Sequence, residues 1–279
     1  MKTLQDKVVV ITGAGSGIGR ALALEASRSG ALLALSDVNE AGLAETAELA
    51  TTAGSPEVRT DRLDVADRAA FAAYASAVAE HFGRVNVVIN NAGVALAGNF
   101  EEMSYEDFDW IVGINFWGVV HGTKEFLPHL IASGDGHIVN ISSLFGLLSI
   151  PGQSAYNATK YAVRGFSEAL REEMLISKHP VGVTVVHPGG IKTEIARNAR
   201  VTESEDKDAT AKVFDKLATM GPDKAAKIIL KGVRKNQARV LVGLDAHALH
   251  AFAKFSGSRY QDIVALSSKQ MLKATKKKP

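Results

Sequence analysis

Cysteine is absent from the 279 residues. That removes disulfides, thiolate nucleophiles and every Cys-containing zinc site. Also missing is any run of about 18 apolar residues, the length a membrane span requires. The opening MKTLQDKVVVITGAG enters a strand directly, with no cleavable apolar region. These absences lead us to expect a cytoplasmic protein without an integral membrane segment. Charge of one sign is scarce too: the net charge is +2, and acids and bases alternate along most of the chain. Only Lys273–Pro279 (KATKKKP) is a block of one sign. With no basic stripe or base-stacking motif in the core, nucleic acid is not an expected partner.

What is present is a repeated alternation. Short aliphatic runs at Val8–Thr12, Leu32–Ser36, Val58–Leu63, Val85–Asn90, His137–Ser142, Val181–His187 and Arg239–Val242 read as strands. Most are apolar throughout, which marks strands covered on both faces, as in a parallel sheet. Stretches with helical spacing separate them, among them Gly19–Arg28, Glu40–Ala53 and Arg68–Phe82. Strand and helix in turn predict one α/β domain, a Rossmann-like doubly wound sheet of about seven strands with helices on both faces. Glu194–Pro222 breaks the alternation with polar, charged sequence, and we expect a helical lid there. Ala246–Leu272 mixes apolar and basic residues, so 246–279 is expected to form a C-terminal helix and basic tail. His247 and His250 are three apart, but no third ligand accompanies them, and no metal site is expected.

Chemistry gathers at three places. Gly13-Ala14-Gly15-Ser16-Gly17-Ile18-Gly19 follows the first strand and opens the first helix. Glycines there let backbone approach a pyrophosphate, and the helix N-terminus supplies free N–H groups. Asp37 closes the second strand, where a carboxylate can accept from ribose hydroxyls and repel a 2′-phosphate. That favours NAD over NADP, with Arg20 the nearby cation that could reverse the preference. Tyr156 and Lys160 lie four apart on a helical stretch, hence on one face. At about 4 Å and an effective dielectric near 20 their attraction would be roughly 4 kcal/mol. The phenol would then titrate near neutrality and serve as an acid/base. Ser143 ends a strand thirteen residues earlier, and Asn115 is an amide in an apolar stretch.

These residues together resemble the short-chain dehydrogenase/reductase family. Thr12-Gly13-x3-Gly17-x-Gly19, Asn90-Asn91-Ala92-Gly93, Asn115, Ser143, Tyr156-x3-Lys160 and Pro188-Gly189 fall in that family's order and spacing. Residues 5 to 193 match closely, and more loosely to about 243. Thr159 stands where the family usually has Ser. The resemblance implies that Tyr156 gives or takes the substrate proton and that Lys160 lowers its pKa and holds the nicotinamide ribose. By the same resemblance Ser143 polarises the substrate oxygen, and Asn115 holds a water in a proton relay. Asp64 and Val65 resemble the pair at the adenine, Asn90 to Gly93 line the adenosine side, and Asn91 also braces the sheet. Pro188, Gly189, Ile191 and Thr193 would cover the nicotinamide and phosphates. The family also implies assembly as tetramers or dimers through helices near Ser104–Ile131 and Ser154–Ser177.

The linker from Leu144 to Pro151 (LFGLLSIP) carries no charge, so an apolar secondary alcohol or ketone is the expected substrate. Two alternatives accompany this reading: an NADP-dependent carbonyl or 3-oxoacyl reductase, and a non-catalytic regulator sensing NAD(H).

Overall fold

The computed structural model describes residues 1–275, with side chains as far as 268. In chain order its first half comprises β1 (Val8–Thr12), α1 (Gly17–Ser27), β2 (Leu32–Asp37), α2 (Glu40–Thr52), β3 (Val58–Arg62), α3 (Arg68–Phe82), β4 (Val87–Asn90) and β5 (Leu96–Ala97). There follow α4 (Tyr105–Val112), α5 (Gly118–Ala132), β6 (Gly136–Ile141), α6 (Ser154–Ile176), β7 (Val181–Pro188) and β8 (Arg200–Val201). The chain continues through α7 (Lys207–Leu217), α8 (Pro222–Arg234), β9 (Arg239–Val242), α9 (Leu244–Ser256) and α10 (Tyr260–Thr275).

Seven strands form one sheet in the order β3-β2-β1-β4-β6-β7-β9, and every pairing is parallel. Alternate residues of each strand feed opposite layers, as the pleat requires. Val9, Ile11, Leu33, Leu35, Val87 and Ile89 pack against Leu22 and Ala26 of α1, Leu43 of α2 and Ile229 and Leu230 of α8. Val10, Ala34, Val88, Ile138 and Val183 pack the other way, against Phe71 and Val78 of α3, Phe126 and Leu130 of α5 and Leu170 of α6. This is the doubly wound Rossmann-like sheet expected, in a single domain. β3, VRTDR, is the polar exception, because at the sheet's edge its two faces are only partly covered and its side chains stay half-buried or exposed.

The strand order reverses between β1 and β4, and in such sheets a crevice opens there beyond the carboxyl ends of the strands. Three features depart from the sequence reading. The middle helix is not uniform: between α4 and α5 a π-helical turn, Gly113–Trp117, carries Asn115. Glu194–Pro222 is only partly helical, since β8 pairs in parallel with β5 (Leu96↔Arg200, Ala97↔Val201) before α7 begins. The C-terminal segment is two helices rather than one, joined by the turn Gly257–Arg259. Residues 276–279, most of the expected lysine tail, lie outside the described residues.

Candidate functional site

The glycine loop lies where β1 delivers it, at the switch point. Gly13 and Gly17 have φ of 65° and 54°, in the left-handed region that favours glycine. A Cβ on Gly17 would stand 3.1 Å from the Thr193 methyl, so the loop and the segment after β7 face each other across a narrow gap. A cleft of about 260 Å³ opens beside them, lined by Gly17, Arg20, Lys192, Thr193 and Glu194. Ser16 is exposed and is the N-cap of α1, its hydroxyl capping nothing among the described residues. Ile18 is half-buried and packs on the core, and Gly19 lies close against the Gly13 carbonyl. The N–H groups of the first turn of α1 are therefore the donors available to an anion. Glycines that let the loop turn tightly onto a helix N-terminus with free N–H groups are what a pyrophosphate needs, so this cradle fits a nicotinamide dinucleotide.

Asp37 ends β2 beside that loop. Its Oδ2 accepts from Gly15 N at 2.8 Å and its Oδ1 from Asn39 N at 2.9 Å. The carboxylate is thus fixed by backbone, with lone pairs left for ribose hydroxyls. Arg20 is committed elsewhere. Its guanidinium donates to Thr46 Oγ1 (2.9 Å), Gly15 O (2.7 Å), Gly42 O (3.2 Å) and Glu45 Oε2 (2.7 Å). A 2′-phosphate would have to compete with all four.

Of the segment after β4, Asn91 donates to Thr12 O (2.9 Å) and Gly13 O (3.0 Å), stitching β4 to the glycine loop. Thr12 Oγ1 accepts from Asn91 N and Ala92 N, both at 3.1 Å. The Asn90 side chain turns inward instead of lining the crevice, donating to Asn140 Oδ1 (2.8 Å) and Thr123 Oγ1 (3.2 Å). Its strand parity sends it to the α5 side of the sheet. Asp64 is exposed and accepts from Ala66 N at 3.0 Å. Val65 is buried against Gly118, and its carbonyl receives His121 Nδ1 at 3.0 Å. Gly93 lies where a Cβ would be 3.2 Å from Asn115 Oδ1 and 3.4 Å from Lys160 Nζ, so it brings the two halves of the site together.

Asn115, Tyr156 and Lys160 converge there with Ser143. Asn115 accepts from Val94 N (2.8 Å) and donates to Val94 O (2.9 Å) and Thr159 Oγ1 (3.3 Å). The π turn supplies the extra residue that lets this side chain leave the helix and clamp the loop after β4. Thr159 is therefore part of the constellation. Tyr156 is 8% exposed, with Phe145 edge-on at 6.2 Å between ring centroids. Leu96, Ile111 and Ala155 pack around it, joined by Val94 and Trp110. Lys160 Nζ stands 5.6 Å from the Tyr156 ring centroid and donates to Ile141 O at 3.2 Å.

Electrostatics here differ from the expectation of a phenol that titrates near neutrality. Burial pushes the Tyr156 phenol above its ordinary value, and a hydrogen bond from Ser143 only partly offsets this. Burial also pulls Lys160 down, to about 8. An attraction at about 4 Å and an effective dielectric near 20 leaves out the cost of desolvation; here both groups are desolvated, with the ammonium directed at a strand carbonyl. Desolvation penalises each charged form before either can help the other.

Ser143 Oγ accepts from Phe145 N at 3.1 Å. Its carbonyl accepts from His187 Nδ1 at 2.8 Å. Burial holds His187 at about 4, so the ring is neutral and Nδ1 carries the proton. Behind it, Ser142 Oγ donates to Lys160 O at 2.8 Å, fixing α6 to β6. In the linker, Phe145 faces Tyr156, whereas Leu144 and Leu148 pack with Ala246, Ala253 and Tyr260 of the C-terminal helices. Only part of that linker therefore borders the reacting region.

Pro188 ends β7. Gly189 N donates to Val242 O (2.9 Å), Gly190 N to Asp245 Oδ2 (2.6 Å) and Lys192 N to Met220 O (2.9 Å). Ile191 is 3% exposed and bridges to Met220, leaving Thr193 opposite Gly17. Sequence reasoning missed Asp245, His187 and Asn140. Their partners Gly190, Ser143 and Asn90 lie 55, 44 and 50 residues away, so no local pattern marks them.

Two absences concern the described residues only. No helix is long and apolar enough to cross a membrane, and no group of three or more His, Asp or Glu side chains could hold a metal ion.

Comparison with known proteins agrees with this geometry. The family model described as short chain dehydrogenase matches residues 7–204. The chain is 60% identical over 266 residues to a putative oxidoreductase, SadH, of Mycobacterium tuberculosis, covering 95% of this chain and 96% of that one. Among solved structures it resembles a short chain dehydrogenase/reductase from Burkholderia phymatum in complex with NAD. That match has a TM-score of 0.86 and 32% identity, over 94% of this chain and 97% of the other. Levodione reductase superposes with a TM-score of 0.77 at 29% identity, over 88% and 98% of the two chains. The chain belongs to the short-chain dehydrogenase/reductase family and is an oxidoreductase.

Proposed function

We propose that this oxidoreductase interconverts an apolar secondary alcohol and its ketone with NAD(H), Tyr156 acting as the general acid/base. The observation that carries the cofactor choice is Asp37, held by the Gly15 and Asn39 amides, while Arg20 Nε and Nη2 are turned to Thr46, Gly15, Gly42 and Glu45. A fixed carboxylate next to the glycine cradle accepts from two ribose hydroxyls and opposes a phosphate. Gly13, Gly15, Ser16, Gly17, Ile18 and Gly19 would receive the pyrophosphate. Asp64 and Val65 would meet the adenine, and Asn91 to Gly93, with only the backbone of Asn90, the adenosine side. Pro188, Gly189, Ile191 and Thr193 would close over the nicotinamide half. When bound, the nicotinamide exchanges hydride with the carbinol carbon.

The chain's own residues supply the rest. Ser143 Oγ lies within hydrogen-bonding reach of the Tyr156 phenol, so the two hydroxyls can hold one substrate oxygen between them. Tyr156 Oη donates its proton to a carbonyl oxygen, or takes it from an alcohol. The raised phenol pKa supports the donor role in the resting pocket, since a neutral phenol is a ready acid. Lys160, pulled down to about 8, can hold the nicotinamide ribose and exchange protons near neutrality. Asn115, fixed by both polar groups of Val94, supports a water-borne route for that proton behind Lys160. Phe145, Val94 and Trp110 give the Tyr156 region apolar walls, which favour a hydrocarbon-like substrate over a sugar.

We assign the segment 194–222 to a lid over this substrate. Arg200 fixes its base, with its guanidinium 3.8 Å from the Trp110 ring centroid and 3.1 Å from Asp107. Beyond it α7 leaves Val213 and Leu217 exposed, at 58% and 67%. Assembly into dimers or tetramers through α4–α5 and α6 belongs to the same proposal, with Trp117 and Tyr161 exposed on those helices. The test is a fluorescence titration with NADH and NADPH, followed by oxidation of secondary alcohols of increasing chain length. Tighter NADH binding and affinity rising with chain length are expected. Preference for NADPH, or for charged sugars, overturns the reading.

A further inference from the structure

A second cavity, of about 420 Å³, lies where α6, β9, α9 and the turn before α10 meet, lined by residues that include Arg164, Arg239, His250, Lys254, Ser258 and Leu147. None of the candidate catalytic or cofactor-binding residues borders it. Leu147 forms part of one wall, and the neighbouring Leu144 and Leu148 pack with Ala253 and Tyr260.

The charges in this cavity do not balance. Arg164 Nε donates to Glu168 Oε1 at 3.1 Å, and Arg239 donates to the same oxygen. One carboxylate thus serves two guanidiniums, each of which keeps further N–H donors. Lys254 has no acid within ion-pair reach among the described residues. Three cations face a single acid in a pocket where Arg164 and Arg239 side chains are only 29% and 32% exposed. His250 registers the excess, being pushed below its ordinary value by burial and by Arg239, Arg164, Lys254 and His247. Like charges held this close and partly desolvated raise the free energy of the empty site, and a bound anion lowers it.

We propose that this cavity binds a small phosphate-bearing anion. Guanidiniums from α6 and β9, an ammonium from α9 and the Ser258 hydroxyl approach from several sides. A tetrahedral phosphate has enough terminal oxygens to meet them all, whereas a carboxylate has two. The cavity is more than ten times the ~30 Å³ share of one water, which leaves room for a phosphate monoester. Leu147 and Ala253 offer apolar contact for its ester group. The bound anion would tie α9 to α6 and β9. Tyr260, which lines the same cavity, accepts from Ser149 N at 3.0 Å and so connects the site to the substrate linker.

The test is thermal shift and calorimetry on the full chain in an amine buffer, with saturating NADH present to occupy the pyrophosphate cradle. The probes are inorganic phosphate, phenyl phosphate and malonate, with chloride at matched ionic strength as control. Phosphate or phenyl phosphate is expected to raise the melting temperature by mass action; the tighter of the two tells whether the site takes the free ion or an ester. Arg239→Gln and Lys254→Gln should each weaken binding about tenfold, the loss of one charge-assisted hydrogen bond. Lys254 is exposed, so that variant keeps its fold. Tighter binding of malonate, an equal shift with chloride, no shift at all, or unchanged affinity in both variants overturns the proposal. Dependence on Arg239 and Lys254 reads this cavity whether or not NADH binds as proposed above.

Discussion

Replacing Lys160 by methionine should make the protein more stable while it removes turnover. Lys160 is 4% exposed, and its one hydrogen bond in the described structure runs from Nζ to Ile141 O at 3.2 Å. Burial lowers its pKa from 10.5 to about 8. At 1.36 kcal/mol per pH unit, that gap costs the folded state about 3 kcal/mol at pH 7, where the group is charged. Methionine fills a similar volume without a charge, and the lost hydrogen bond returns about 1 kcal/mol of the gain. The variant should therefore be more stable by about 2 kcal/mol, a rise of about 4–8 °C in Tm for a chain of this size. The pH dependence gives a second reading. Because the folded pKa is depressed, the unfolded chain binds more protons between pH 8 and 10.5, and stability rises with pH across that window. The variant lacks this slope. Melting should be followed from pH 7 to 9.5 without cofactor, since burial raises Tyr156 and an ionising phenol works against folding above pH 10. A less stable variant, or equal slopes for both proteins, would refute the claim that Lys160 is kept for chemistry at the expense of stability.

Three further outcomes are expected. Tyr156→Phe should lower kcat by about 10²–10⁴ with NADH binding intact; near-normal turnover in steady-state assays would remove Tyr156 from the proton step. Asp37→Ala deletes a charged acceptor worth about 1.5–3 kcal/mol, so the ratio of NADH to NADPH affinity should narrow by about tenfold or more. An unchanged ratio would show that Asp37 does not select the cofactor. A Cβ on Gly122 would collide with Asn90 Oδ1, so Gly122→Ala should destabilise by about 1–3 kcal/mol, and a wild-type denaturant midpoint would contradict this.

The sequence alone determined the layered sheet and the order of the motifs. Strands β1, β2, β4, β6 and β7 bury both faces, and that condition writes itself into uninterrupted aliphatic runs. Glycines at a strand-to-helix turn, an acid ending the next strand and Tyr156 one helical turn from Lys160 are local spacings, legible without a fold. What the tertiary structure decided is everything that depends on residues meeting from afar. Asn115 leaves its helix because a π turn and the Val94 backbone, 21 residues away, accommodate it together. Arg20 is turned toward Glu45 and Thr46 across the α1–α2 contact. Leu144 and Leu148 pack with the C-terminal helices, a choice that linear hydrophobicity cannot express. Above all, the charge states of Tyr156 and Lys160 follow from desolvation, and desolvation is a property of the packed neighbourhood, not of a four-residue spacing.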